Sequence, residues 1–332
     1  MREVALAVGG RRYVDWLHIR IERRLDALSG SFALTSPDID GVGGLVCGEP
    51  VVIMVGAETL ITGHIEAVRK SFDTSGANVE IHGRDKTGDL VDSSVDIKAD
   101  GFRNQTLHQI AEKLCQRFNI RVIDMVNDKK RFELLKIMPG ETAFAALDHA
   151  ARRRGVLLSG DSAGNVIISK IGSGGNVGSL IEGTNILSLS QTADQSQRHS
   201  EYILRAQSDE DFSLEVRSID PGIKRYRPLI TVDQSNITKP DAQKMVEWER
   251  AMRRGRSMRV SVVVQGWESP TRKLWDVNQM VKVIAPRVHL DAEFLIVGVD
   301  FSFDENGTMA TLDLAPCDSF SPKPEIERGD QW

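Results

Sequence analysis

Cysteine is nearly absent. Cys47, Cys115 and Cys317 are the only three in 332 residues, too few and too far apart for a disulfide framework, and no pair has metal-ligand spacing. The expectation is a chain folded in a reducing cytoplasm, with no metal and no cofactor. Aromatic residues make up only 6%, and the formal net charge is −5, so neither stacking platforms nor a global positive field draws the chain to nucleic acid or to an anionic membrane. No apolar run approaches the ~20 residues that span a bilayer. The opening MREVALAVGGRRYVDW has a short apolar run followed at once by glycine and arginine, without the small-residue cleavage pattern of a signal peptide. It reads as a first strand and hairpin.

Catalytic signatures are missing too. His18, His64, His82, His108, His149, His199 and His289 form no paired group. The glycine-rich run from Gly172 to Gly178 has Val177 where a dinucleotide fingerprint needs glycine, and no lysine and hydroxyl pair follows. Ser302, Asp304, Asn306 and Asp313 imitate a calcium loop, but the first and last ligands are wrong and no flanking helices exist, so a hairpin is the better reading. Asp85, Asp89 and Asp92 crowd a turn after a strand, with no companion motif of a glycosidase or protease. Their expected work is to cap a short helix and hold a strand end. No G-x-S-x-G elbow is present. The set of catalytic residues is therefore expected to be empty.

What the chain does have is β structure. Met258, Val260, Val262 and Val264 alternate with polar partners; Met280, Val281 and Val283 form a second run that stops at Pro286. Phe294 to Phe303 then turns at Asp304 to Gly307 and runs back to Leu314, an antiparallel meander. The same grammar appears between Val51 and Asp85. There Leu60 and Gly63 precede a turn at Gly76 and Ile81; later Leu295 and Gly298 precede a turn at Gly307 and Leu312. Matching the two pairs of glycines makes the hairpins unequal in length. Internal similarity of this kind suggests two related β units.

The expected fold class is α+β, mainly β: two similar antiparallel β-barrels plus two smaller α/β domains. Residues 1–97 form the first barrel. Residues 98–171 form a small α/β domain, because Thr106 and Gln109 make a capping box ahead of the stripe Leu107, Ile110, Ala111, Leu114 and Phe118, with Cys115 a small core residue. A second helix runs from Glu141 to Arg154 and ends at Gly155. Residues 172–178 read as a linker. The second barrel is assigned to 180–238 and 266–317, with an inserted helix and strand at 239–265 and an extended tail at 318–332. The basic cluster Arg250, Arg253, Arg254, Arg256 and Arg259 lies at the junction of that helix and strand. Without interleaved aromatics it reads as a subunit or partner interface, since arginine pairs with carboxylates in bidentate fashion.

This layout resembles the baseplate hub proteins of Mu-like, contractile-tailed bacteriophages, related to phage late-control proteins and to the hub part of type VI secretion spikes. The resemblance rests on structural motif residues Gly266, Trp267, Leu274, Trp275 and Asn278, and on the meander from Leu295 through Gly298 and Gly307 to Pro316. GRDKTGDLV from Gly83 to Val91 and Arg198, Ser200 and Tyr202 add to it. It covers essentially the whole chain. One departure is that Thr271, Arg272 and Lys273 precede Leu274 where a glycine is expected.

The resemblance implies a structural hub without catalysis, a homotrimer in which two barrels per subunit give six quasi-equivalent units around a channel. Its implied partners are the tail tube protein, the central spike protein and other baseplate proteins, with no membrane anchor and with DNA only as passing cargo in the channel. The implied location is the virion tail baseplate, assembled in the cytoplasm of a bacterial host. Because the chain carries no β-helical extension, the spike is expected on a separate polypeptide. Two rivals remain: a peptidoglycan-degrading tail enzyme, which needs an inserted domain with an acidic pair, and a nucleic-acid-binding barrel protein, which the arginine cluster would serve.

Overall fold

The computed structural model describes residues 3–37, 40–74, 76–96, 101–207 and 214–320. It begins with β1 (Val4–Val8) and β2 (Arg11–Tyr13), turned at Gly9 and Gly10. β3 (His18–Arg24), β4 (Ser31–Ser36), β5 (Pro50–Val55), β6 (Glu58–Asp73) and β7 (Gly76–Asp85) follow. α1 (Gly88–Asp92) leads into β8 (Gly101–Thr106), α2 (Leu107–Cys115), β9 (Val122–Asp124), β10 (Arg131–Lys136), α3 (Ala143–Arg154), β11 (Leu157–Gly160) and β12 (Val166–Ser169). The β reading resumes at β13 (Asn176–Ile181) and β14 (Ser188–Ala193). β15 (Glu201–Gln207), β16 (Leu214–Ile219) and β17 (Pro228–Asn236) precede α4 (Lys239–Arg256). β18 (Met258–Gln265), β19 (Met280–Ala285), β20 (Leu290–Asp304) and β21 (Gly307–Ala315) complete the fold, so the chain is α+β and mainly β as expected.

Where the sequence reading expects two separate barrels, both β units share one open thirteen-stranded sheet, and no sheet among the described residues closes on itself. The reason is the length of β20. Its first half pairs with β19, and its second half has enough chain left to pair with β3 of the other unit. One core fills both units, with Ile21, Leu34, Ile53, Ile81, Val262, Phe294, Phe301 and Leu312 all buried. Full burial of each such side chain contributes about 1.5–3 kcal/mol.

The second expectation to change concerns the strands after residue 200. β15, β16 and β17 do not join the second β unit; they form their own sheet, on which α4 packs Ala242 and Val246 against Tyr202, Leu204 and Val216. β18, expected beside that helix in an insertion at 239–265, lies between β14 and β21 in the large sheet. Alternation of apolar residues marks a strand but carries no information about its partner. The run at 172–178 is also only partly a linker, because Asn176 already begins β13, which pairs in parallel with β19. Of the tail, Cys317–Phe320 forms a short turn and residues 321–332 lie outside the described residues.

The small α/β unit follows its sequence signals closely. The Thr106 hydroxyl accepts from the Gln109 N–H at 3.3 Å, and the Thr106 N–H donates to Gln109 Oε1 at 3.0 Å. Thr142 caps α3, and Gly155 ends it in the left-handed region at φ 68°. Cys115 is fully buried, which pushes its thiol up to about 12.

Strand order shows the duplication directly. The first unit runs β3-β4-β7-β6-β5-β1 and the second β14-β18-β21-β20-β19-β13. Taken in chain order, β1, β3, β4, β5, β6 and β7 correspond one for one to β13, β14, β18, β19, β20 and β21. Both long hairpins carry a bulge at the same place, between Ile65 and Ala67 and between Ile296 and Gly298, and both turn the same distance later, at Gly76 and Gly307. The hairpins are therefore equal in length once bulges are matched, and Gly298 corresponds to Ala67, not to Gly63 as the Leu-x-x-Gly match has it. Three differences stand out: β2, paired with β1, has no counterpart in the second unit; β13 is parallel to β19 where β1 is antiparallel to β5; and only the second unit carries an insertion between its second and third strands.

Candidate functional site

Most of the motif residues converge on the start of β19. Asn278 is buried with a left-handed backbone at φ 62°. Its Oδ1 accepts from the Gly172 N–H at 2.7 Å, and its Nδ2 donates to Lys170 O at 2.9 Å and to Ser169 Oγ and Ser173 Oγ at 3.1 Å. One asparagine thus fastens the glycine-rich connection to the second β unit. Trp267 donates from Nε1 to Ser302 O and Met309 O, both at 3.0 Å, and meets Phe301 edge-on at 5.4 Å. Trp275 is buried in the same core. Gly266 and Gly307 sit at turns with positive φ. Arg272, where a glycine was expected, does adopt φ 65°, so the backbone keeps the glycine-like turn and an arginine bears its strain.

The arginine cluster is largely engaged within the chain. Arg253 donates to Glu249 Oε1 at 2.6 Å and to Gln197 O at 2.9 Å; Arg254 reaches Asp318 at 2.8 Å; Arg250 donates to Ile219 O at 3.1 Å. Arg259 approaches Ser319 Oγ at 3.4 Å, and burial with the neighbouring Arg256 lowers its pKa from the ordinary value. These contacts lash α4 to the segment before β15 and to the turn after β21. Beside them Arg198 and the buried Asp220 form a bidentate pair at 2.8–3.0 Å.

Of the acids after β7, Asp85 is almost fully buried. It accepts from the Gly30 N–H at 2.6 Å, the Thr87 N–H at 2.8 Å, Thr87 Oγ1 at 2.5 Å and Ser29 Oγ at 3.2 Å. Burial pushes its carboxyl above the usual range against the pull of those bonds. Arg84 bridges Asp92 and Glu66, which raises its own pKa and draws Asp92 below the ordinary carboxylate range. The strand end is held as expected, but the N-cap of α1 is Thr87 and not one of the acids.

Sequence reasoning did not say which strands form the sheet edges. Between the two units, β20 and β3 pair antiparallel with Val299 opposite Arg23, Phe301 opposite Ile21 and Phe303 opposite Ile19, and Arg20 bonds Asp300 at 2.6 Å across the seam. The outer half of β6, from Ala67 onward, pairs only with β7, and β14 pairs only with β18. Phe72, near the tip of β6, is 86% exposed. The available signal was that β6 runs sixteen residues while β5 runs six, so the residues from Ala67 onward had no partner on that side. A polar cleft on the small α/β unit, lined by Arg103, Lys113, Arg121 and Arg131, also went unread, because its residues are scattered in sequence.

Three family models match the chain in succession: the N-terminal domain described as Mu phage baseplate assembly protein GpP-like over residues 3–85, the second domain of baseplate hub protein gp44-like over 87–170, and the fourth domain of Mu phage baseplate assembly protein GpP over 238–323. The baseplate hub protein gp44 of Escherichia phage Mu is 29% identical over 98% of this chain and 90% of its own length. Among solved structures, the 43 kDa tail protein of prophage MuSo2 from Shewanella oneidensis is 34% identical, with TM-score 0.86 over 96% of this chain and 99% of that one. A tail protein from Neisseria meningitidis shares the fold at 24% identity, with TM-score 0.82 over 97% of this chain and 98% of that one.

Proposed function

The chain belongs to the Mu-like phage baseplate hub family, a structural component of the tail, and from that premise we propose that three copies form a ring joining the sixfold tail tube to the threefold central spike. The observation that carries this reading is the matched strand order of two β units in one chain. A sixfold partner cannot meet a threefold one through identical contacts, whereas three chains with a duplicated unit offer both symmetries. In this reading each open β unit is completed into a barrel-like wall by its neighbours, around a channel through which DNA passes as cargo. The arrangement favours a division into a first β unit built from β1 to β7, a small α/β domain from α1, whose Leu90 joins its core, to β12, a second β unit built from β13, β14 and β18 to β21, and an insertion made of β15 to β17 with α4.

The reading assigns the chain no catalytic step and no cofactor. The tube and spike proteins are the proposed partners on opposite faces, and Arg256 with its neighbours is a proposed docking surface at the edge of α4. Light scattering on the purified protein, with or without tube protein, tests the oligomer. A mass of three chains of 36.8 kDa is expected, and a one-chain mass in the presence of both tube and spike would overturn the reading.

A further inference from the structure

The chain contains a worked example of how one β unit joins the next. At the internal seam, the outer half of β20 in the second unit pairs with β3 in the first. The strand correspondence makes β6 the counterpart of β20 and β14 the counterpart of β3. Both counterparts present unpaired edges: β6 beyond its bulge and β14 along its outer side. Unpaired edges of this kind either invite another chain or must be blocked.

We infer that the outer half of β6 in one copy pairs antiparallel with β14 of a second copy, in the register that the internal seam dictates. The inference rests on the oligomeric reading above and goes beyond it to a strand register. Phe303 and Phe72 are equivalent by their place in the hairpins, and Ile19 and Leu189 by their partners Leu34 and Val262, which face Ile81 and Leu312 respectively. Phe303 opposite Ile19 therefore becomes Phe72 opposite Leu189. Stepping along the strands, Ser71 faces Ser190, Lys70 faces Gln191, Arg69 faces Thr192 and Val68 faces Ala193.

The side chains suit this match. Phe72 gains the apolar neighbour Leu189, while on the internal seam Phe303 already packs against the core through the same position. Charge is also compatible. Residues Ser188 to Ala193 carry none, so Arg69 and Lys70 meet no like charge there, whereas two β6 edges placed together would set arginine and lysine against each other. The contact is head-to-tail, so each copy offers β6 to one neighbour and β14 to the other. In a closed ring, internal seams and seams between copies then alternate.

The test is a disulfide across the new seam. Directly opposed residues of antiparallel strands lie about 4.5–5.5 Å apart at Cα, within disulfide reach. Ser71→Cys with Ser190→Cys, in a Cys47→Ser and Cys317→Ser background, is expected to give dimers and closed trimers on a non-reducing gel, and each single variant and the out-of-register pair Ser71→Cys with Ala193→Cys none. Phe72→Asp, at a position exposed in the single chain, is expected to leave the melting temperature of the isolated chain unchanged and to weaken assembly at least tenfold. A three-chain particle that fails to cross-link at this pair overturns the strand register while leaving the trimer standing. A protein that stays at one-chain mass with both tube and spike proteins present, with no cross-link, overturns both.

Discussion

The two β units have the same strand order and the same bulged hairpin, yet equivalent residues live in opposite surroundings. Phe301 is fully buried between Trp267 and Ile21, while Lys70, at the matching place in the first unit, is exposed. Phe303 packs against the core; Phe72 stands in solvent. What separates them is only whether a strand lies alongside. A repeated unit in one chain covers one seam by itself and leaves the matching seam open.

The widest test of that contrast is a pair of truncations. Phe301→Ala removes a buried ring and is expected to cost ~3–5 kcal/mol in chemical unfolding, whereas Lys70→Ala at the equivalent position should stay within about 0.5 kcal/mol for the isolated chain. Equal losses at both places would break the comparison. Next come the two buried polar knots, one per unit. Asn278→Ala leaves the Gly172 N–H without its acceptor and forces alanine into the left-handed region, and ~2–3 kcal/mol of loss is expected. Asp85→Ala leaves two buried N–H groups without acceptors, and a loss of similar size is expected.

Asp85 adds a pH signature that Asn278 lacks. Its folded pKa lies above the unfolded value, so the native state holds a proton more tightly. The stability this gives is fully present below the ordinary carboxylate pKa of 3.8 and is lost as pH rises through the folded value. Stability of the wild type relative to Asp85→Asn should therefore decline as pH rises from about 4, measured by urea unfolding at a series of pH values. A relative stability that climbs with pH would reverse the assigned shift. The smallest expected effect is a gain. Arg272→Gly frees a left-handed turn of its side-chain strain and should stabilise by up to ~1 kcal/mol, read as a small rise in melting temperature.

Much of this architecture was legible in advance where the signal is local. The Thr106 and Gln109 capping box, the Gly155 stop and the Gly307 hairpin all depend on residues within a few positions of one another, and each formed as read. The duplication was visible too, although matching Leu-x-x-Gly pairs misaligned the hairpins, since a bulge is defined by its partner strand. Pairing itself was not legible. Nothing in the alternation of Val260, Val262 and Val264 says that they join β14 and β21, and nothing in Tyr202 to Ala206 says that this strand leaves for a separate sheet. The residues of the proposed seam were the hardest to see. An unpaired edge is a relation between strands, and the sequence of one strand does not contain it.

End-on electron microscopy of the purified particle, with its mass measured in parallel, tests most directly whether a duplicated unit lets three chains present sixfold symmetry. The account predicts a closed ring of six similar lobes weighing three chains. Six lobes weighing six chains, or three chains arranged as three lobes, would contradict it.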